Sequence, residues 1–166
     1  IASSKSTECI VKGECEAGTF CNKYHCPKAT DCISCKAGKY STKGSVTAGS
    51  SSPCIDCEVG SYSAASAQAC TACKAGTWQN DTGKTSCKVC SVGKYLGRTG
   101  GKSDKSCIAC ARGSVVDIAV SGSSVKGAAS CTPCAKGKYQ GAIGKTKCGD
   151  CSAGTGSDAG SDKCTP

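Results

Sequence analysis

The sequence predicts a small disulfide-rich protein: an elongated array of short irregular β-hairpin repeats, stapled by a local disulfide ladder, with little regular secondary structure. Three observations predict it. Cysteine takes 19 of the 166 residues and glycine 22. Large apolar side chains are scarce, with one Phe, one Trp, no Met and Leu96 as the sole leucine. One phrase also recurs along the chain: cysteine, two variable residues, glycine, one more residue and an aromatic ring. It reads "CKAGKY" from Cys35 and "CAKGKY" from Cys134.

A chain so poor in Leu, Phe and Met cannot bury enough apolar area to offset the entropy of ordering itself. Cysteine at this density marks a covalently stapled scaffold and an oxidising compartment, hence a secreted, extracellular or cell-surface protein. No stretch approaches the roughly 20 apolar residues of a membrane span; the best run, "VVDIAV" at 115–120, is far shorter. The chain begins at Ile1, not Met, and is read as a mature protein or a segment of a larger one with its leader removed. The net charge of +9 comes almost wholly from lysine, with only Arg98 and Arg112 as arginines. Lysines spread about one per loop make a solvated surface, whereas bidentate reading of bases or phosphates favours Arg, so no nucleic-acid partner is expected.

The repeat runs through seven C-x-x-C pairs, from Cys32/Cys35 to Cys148/Cys151, followed by a solitary Cys164. Each pair is followed by x-x-Gly: Gly38, Gly60, Gly76, Gly93, Gly113, Gly137 and Gly154. Two residues further sits Tyr40, Tyr62, Trp78, Tyr95 or Tyr139; the fifth and seventh copies depart, with Val115 and Gly156. The glycine supplies a positive φ or a close backbone approach. The ring, the largest apolar object in each repeat, is expected to lie over the next disulfide. Gly, Ser, Thr, Lys and Asp between the phrases are turn-formers, and no long periodicity survives. Residues 1–34 are expected to form a cysteine-rich cap with an atypical repeat, and 35–166 seven tandem repeats.

Cysteine arithmetic prefers one pairing. If the second cysteine of each pair bonds the first of the next, the bridges are Cys35–Cys54, Cys57–Cys70, Cys73–Cys87, Cys90–Cys107, Cys110–Cys131, Cys134–Cys148 and Cys151–Cys164, and Cys164 is explained. The rival, locking pair to pair as in Cys54–Cys70 with Cys57–Cys73, leaves a cysteine over; spacing alone does not decide connectivity. An earlier phrase, "CEAGTF", gives Cys15 with Cys32, while Cys21 with Cys26 closes the loop "CNKYHC". Cys9 is then free, bonded to another chain, or paired with sequence upstream. Each local bridge is worth about 3 kcal/mol in the chain-entropy model.

The pattern C-x-x-C-x-x-G-x-Y…C-x-x-C from Cys32 to the end resembles the ephrin-receptor-like cysteine-rich repeats, and is similar to the first half of tumour-necrosis-factor-receptor modules. "CKAGTWQNDTGKTSCKVC" at 73–90 and "CAKGKYQGAIGKTKCGDC" at 134–151 carry it best. The resemblance implies an extracellular, rod-like hairpin array without catalytic residues, of the kind found in receptor stalks, surface coats and appendage shafts. The usual Pro after the second cysteine is missing here, and the fifth and seventh links are expected to be looser or to carry a different contact.

Other chemistries fit less well. Zinc ribbons use such pairs two by two, which strands Cys148, Cys151 and Cys164 without a histidine. "CTPC" at 131–134 lacks the helix that activates a redox thiol. His25, the single histidine, sits in a tight polar loop, and "SDAGSD" at 157–162 lacks a dense carboxylate ladder. No cofactor, no metal and no enzymatic activity are expected. "NDT" at Asn80–Thr82 is an N-glycosylation sequon.

The leading expectation is an extracellular structural glycoprotein that self-assembles, as a homo-oligomer, into a filament or coat, with the loops 41–53 and 111–130 as contact surfaces. The alternative is a ligand-binding or spacer ectodomain of a receptor or surface antigen, whose partners are other extracellular proteins or glycans and whose candidate patch is "VVDIAV".

Overall fold

The computed structural model describes residues 15–21, 31–43, 53–116 and 127–166. Regular structure among them is almost entirely short paired strands. β1 (Thr19–Phe20) pairs with β2 (Ile33–Ser34), β3 (Lys39–Tyr40) with β4 (Ile55–Asp56), and β5 (Ser61–Tyr62) with β6 (Thr71–Ala72). β7 (Thr77–Trp78) pairs with β8 (Lys88–Val89) and β9 (Lys94–Tyr95) with β10 (Ile108–Ala109). β11 (Ser114–Val116) pairs with β12 (Cys131–Pro133), and β13 (Lys138–Tyr139) with β14 (Gly149–Asp150). The fold is a set of two-stranded hairpins, and one 3-10 turn, Asp104–Ser106, precedes β10.

The sequence phrase dictates each hairpin. In the copy from Cys73, the Thr77 N–H donates to the Lys74 carbonyl at 3.0 Å, and Gly76 between them has φ +80°. A positive φ at the third position of a four-residue turn is the type II signature, which glycine adopts without a Cβ penalty. The chain leaves this turn extended through the ring residue, and the returning strand is formed by the residues enclosed by the next C-x-x-C. Strands this short are not stable alone; the bridge beside each one closes the loop.

The described residues divide into two compact units. The first holds those up to Glu58, with Tyr62–Thr71 and Thr82–Thr85. Its bridges between described cysteines are Cys15–Cys32, Cys35–Cys54 and Cys57–Cys70, and Cys21 is bonded too. The Gly18 N–H donates to the Ser41 carbonyl at 2.9 Å while the Gly18 carbonyl accepts from Cys35 N–H at 2.9 Å. Gly38 repeats this with Ser63 and Cys57, at 3.0 and 2.9 Å. Ser66 and Gly83 close the loops by donating to the Cys35 and Cys57 carbonyls at 2.9 and 2.8 Å.

The second unit holds Val59–Ser61, Ala72–Asp81 and the residues from Ser86 onward. Its bridges are Cys73–Cys87, Cys90–Cys107, Cys110–Cys131, Cys134–Cys148 and Cys151–Cys164. The same hydrogen bonds recur: Gly76 N–H to the Leu96 carbonyl at 2.7 Å, Cys90 N–H to the Gly76 carbonyl at 2.9 Å, and Gly100 N–H to the Cys73 carbonyl at 2.7 Å. In place of a conventional core lie sulfurs. Cys35, Cys57, Cys73 and Cys110 are fully buried, and Trp78 packs on a cluster of Cys90, Leu96 and Cys107.

Of the two outcomes expected for the fifth link, the structure has the different contact: without a ring, β11 and β12 extend to three residues each, the β-branched pair Val115–Val116 favouring the longer strand. One expectation is corrected: "VVDIAV" is not a uniformly exposed patch, because Val116 is buried and its N–H donates to the Lys145 carbonyl at 3.2 Å. Its remaining residues, 117–120, lie outside the described residues.

Candidate interaction surface

A two-residue strand presents one side chain to each face. The ring of each hairpin therefore stands opposite the first residue inside the next C-x-x-C: Phe20 faces Ile33, Tyr40 faces Ile55, Trp78 faces Lys88, Tyr95 faces Ile108 and Tyr139 faces Gly149. The rings are half-buried except Tyr139, which is exposed, while Ile55 and Ile108 remain 55% and 57% exposed. An aliphatic group open to solvent beside a ring thus recurs on several hairpins. On two hairpins the other face carries an ion pair. Lys39 meets Asp56 directly across the strands at 2.8 Å, and Lys138 meets Asp150 in the same way. Exposed pairs of this kind are worth up to about 1 kcal/mol each and serve mainly to set register.

The hairpin β7–β8 is the most elaborate. Lys88 Nζ lies 5.0 Å from the centroid of Trp78, donates to Asn80 Oδ1 at 2.8 Å and stands 3.7 Å from Asp81 Oδ2. An exposed cation–π contact contributes about 0.5–1 kcal/mol. Beneath it the buried Gln79 holds the loop: its Nε2 donates to the Ser86 carbonyl at 2.8 Å and its Oε1 accepts from the Asp81 N–H at 3.2 Å.

The predicted site residues are distributed as follows. Eight bridges join described cysteines: six run from the second cysteine of one pair to the first of the next, Cys15–Cys32 leads into the first pair, and Cys151–Cys164 joins the last pair to the solitary cysteine. Cys21 is disulfide-bonded as well, whereas Cys9, Cys26 and His25 lie outside the described residues, as do most of 41–53 and much of 111–130. Bonded cysteines carry no thiolate, and among the described residues no group of three or more His, Cys, Asp or Glu is placed to hold a metal ion. Asn80 and Thr82 are both exposed. A ring over the next bridge is formed by Trp78, on Cys90 and Cys107.

Sequence reasoning missed two sets of residues. One is the position just after the ring. Ser41, Ser63 and Gln79 are buried there, and the serine hydroxyls donate to the Thr19 and Lys39 carbonyls at 3.0 and 3.1 Å. The other is a second small residue four positions before a cysteine: Ser66, Gly83, Gly127, Gly144 and Gly160. Their backbones touch earlier turn glycines within the same unit, as Ser66 does Gly18 and Gly144 does Gly93. The recurrence of "GKTSC" and "GKTKC" was the available signal.

With this geometry in view, residues 60–107 and 122–164, together more than half of the chain, match a family model described as tyrosine-protein kinase ephrin type A/B receptor-like. No curated protein matches the chain.

Proposed function

Because the chain belongs to the ephrin type A/B receptor-like family, we propose that it is part of the extracellular portion of a receptor or surface antigen, binding or spacing and performing no catalytic step. The observation that carries this reading is the division of labour in every hairpin. Covalent bridges and backbone hydrogen bonds hold the interior, which leaves the outward positions free to vary: Ile55, Lys88, Ile108 and Gly149 occupy equivalent places. A scaffold that does not rely on its outward side chains for stability suits recognition of other extracellular proteins or glycans. The density of disulfides supports an extracellular or cell-surface location. Among the described residues, no helix is long and apolar enough to cross a membrane.

The self-assembling filament expected from the sequence has less in its favour. The family fits the ectodomain reading better, and Cys9, on which an interchain bridge rested, lies outside the described residues. Electron microscopy with sedimentation at physiological salt, with and without mild reductant, separates the two. Dispersed single particles in both conditions are expected; long regular filaments that reductant dissolves would overturn the proposal in favour of a structural subunit.

A further inference from the structure

We infer that Asn80 carries an N-linked glycan whose first sugar packs on Trp78 beside Lys88. The inference rests on the extracellular reading, since the transfer takes place along the secretory route. Within the sequon, Asn80 and Thr82 are exposed. The loop does not need the asparagine for its own closure. In the copy from Cys134 the same clamp forms, Gln140 Nε2 donating to the Lys147 carbonyl at 2.6 Å and Oε1 accepting from Ala142 N–H at 3.0 Å. There Gly141 stands in the place of Asn80 and Gly149 in that of Lys88. Asn80 and Lys88 are thus additions to a shared scaffold.

Their arrangement exposes the reactive atom. Lys88 can only donate, so its bond of 2.8 Å engages Oδ1 of the Asn80 amide. Nδ2, the atom that accepts a glycan, has no hydrogen-bond partner among the described residues. In the transfer, Nδ2 attacks the anomeric carbon of a lipid-diphosphate-linked oligosaccharide. The C–N bond forms, the anomeric C–O bond breaks with its electron pair leaving on the diphosphate, and one amide proton is released. Asn80 lies two residues beyond Trp78, and Lys88 brings the two side chains to one place by touching both. Trp78 rests on the cluster of Cys90, Leu96 and Cys107 and has Lys88 Nζ over its ring, yet it is only half-buried, so the surface these leave open is available to the C–H face of the first sugar.

Trp78 is the only tryptophan, so fluorescence excited beyond the tyrosine absorption band reports from this ring. The full chain is expressed behind a cleavable leader in animal cells, and its intact mass is measured with and without peptide N-glycosidase. A glycan lost in Thr82→Ala is expected. Acrylamide quenching of Trp78 is expected to be weaker in the glycosylated protein and in protein trimmed to one sugar, and stronger once the last sugar is removed. A secreted, correctly bridged chain without a glycan at Asn80 overturns the site and leaves the ectodomain reading standing. A glycan that leaves quenching unchanged overturns the contact with Trp78. Failure of the ectodomain reading shows separately, as filaments in the microscope.

Discussion

Gly76 and Gly127 meet backbone to backbone: a Cβ on Gly76 would lie 2.0 Å from the Gly127 carbonyl oxygen, and one on Gly127 would lie 1.7 Å from the Gly76 carbonyl oxygen. Neither neighbour is a flexible side chain that can step aside. Gly76→Ala must therefore part the two segments as well as hold an L-residue at φ +80°, a conformation costing about 1–2 kcal/mol by itself. Gly154 has nearly the same φ, +82°, but nothing within 4 Å of its Cβ position. Hydrogen exchange is expected to show Gly154→Ala losing about 1 kcal/mol of local protection and Gly76→Ala clearly more. Equal losses would mean that the contact between glycines carries no weight.

Cys90 and Cys107 are 2% and 7% exposed, whereas Cys151 and Cys164 are both half-buried. Thiol–disulfide exchange needs a thiolate to reach a sulfur along the bond axis. Under mild reductant followed by alkylation, Cys151–Cys164 is expected to open first and Cys90–Cys107 late. Replacing both Cys90 and Cys107 by Ser removes the staple of a 17-residue separation and should cost about 2–5 kcal/mol. Peptide mapping without reduction would show the remaining bridges intact, since each closes its own loop. Scrambled bonds in that variant would show that the bridges depend on one another.

What was legible in the sequence follows from what repeats in register. The bond order could be read because Cys164 arrives alone, and sequential pairing gives it a partner in Cys151. The turn was readable because only glycine fits its third position in copy after copy. The role of Ser41 and Gln79 was not, because their chemistry differs while their task is the same. Ser63 reaches back to the Lys39 carbonyl, Gln79 closes its own loop, and Leu96 fills the equivalent place with an apolar group. A position defined by burial and not by residue type leaves no motif. The interior of sulfur also hid the fate of Val116: in a chain with so little apolar mass, an apolar run looks like a surface patch until its hairpin is seen.

Gln79 offers the sharpest test of that hidden position. At 3% exposure, both ends of its amide are used, by Ser86 and by Asp81. Gln79→Ala leaves the Ser86 carbonyl without this donor and the Asp81 N–H without this acceptor, at about 1–3 kcal/mol. Because Trp78 is adjacent, its fluorescence in a urea titration, with all bridges intact, reads the loss directly. Gln79→Leu, which mimics Leu96, should recover packing but not the loop, so exchange at 80–86 stays fast. A variant indistinguishable from the parent would remove the clamp as the reason for this residue.

Ile55 and Ile108 separate stability from recognition. Each projects more than half its surface into solvent beside a ring, from a hairpin whose closure is covalent. Ile55→Ser and Ile108→Ser are therefore expected to change stability by no more than about 0.5 kcal/mol, as surface positions do. If the outward pairs are recognition elements, the same changes weaken binding of the purified chain to partner-bearing cells, by about 1 kcal/mol or more for each residue at a centre of contact. Lys39→Ala, on the opposite face of β3, serves as the control: it breaks an exposed ion pair with Asp56 and should leave binding unchanged. Loss of binding in Lys39→Ala with none in the isoleucine variants would move the recognition surface to the polar face.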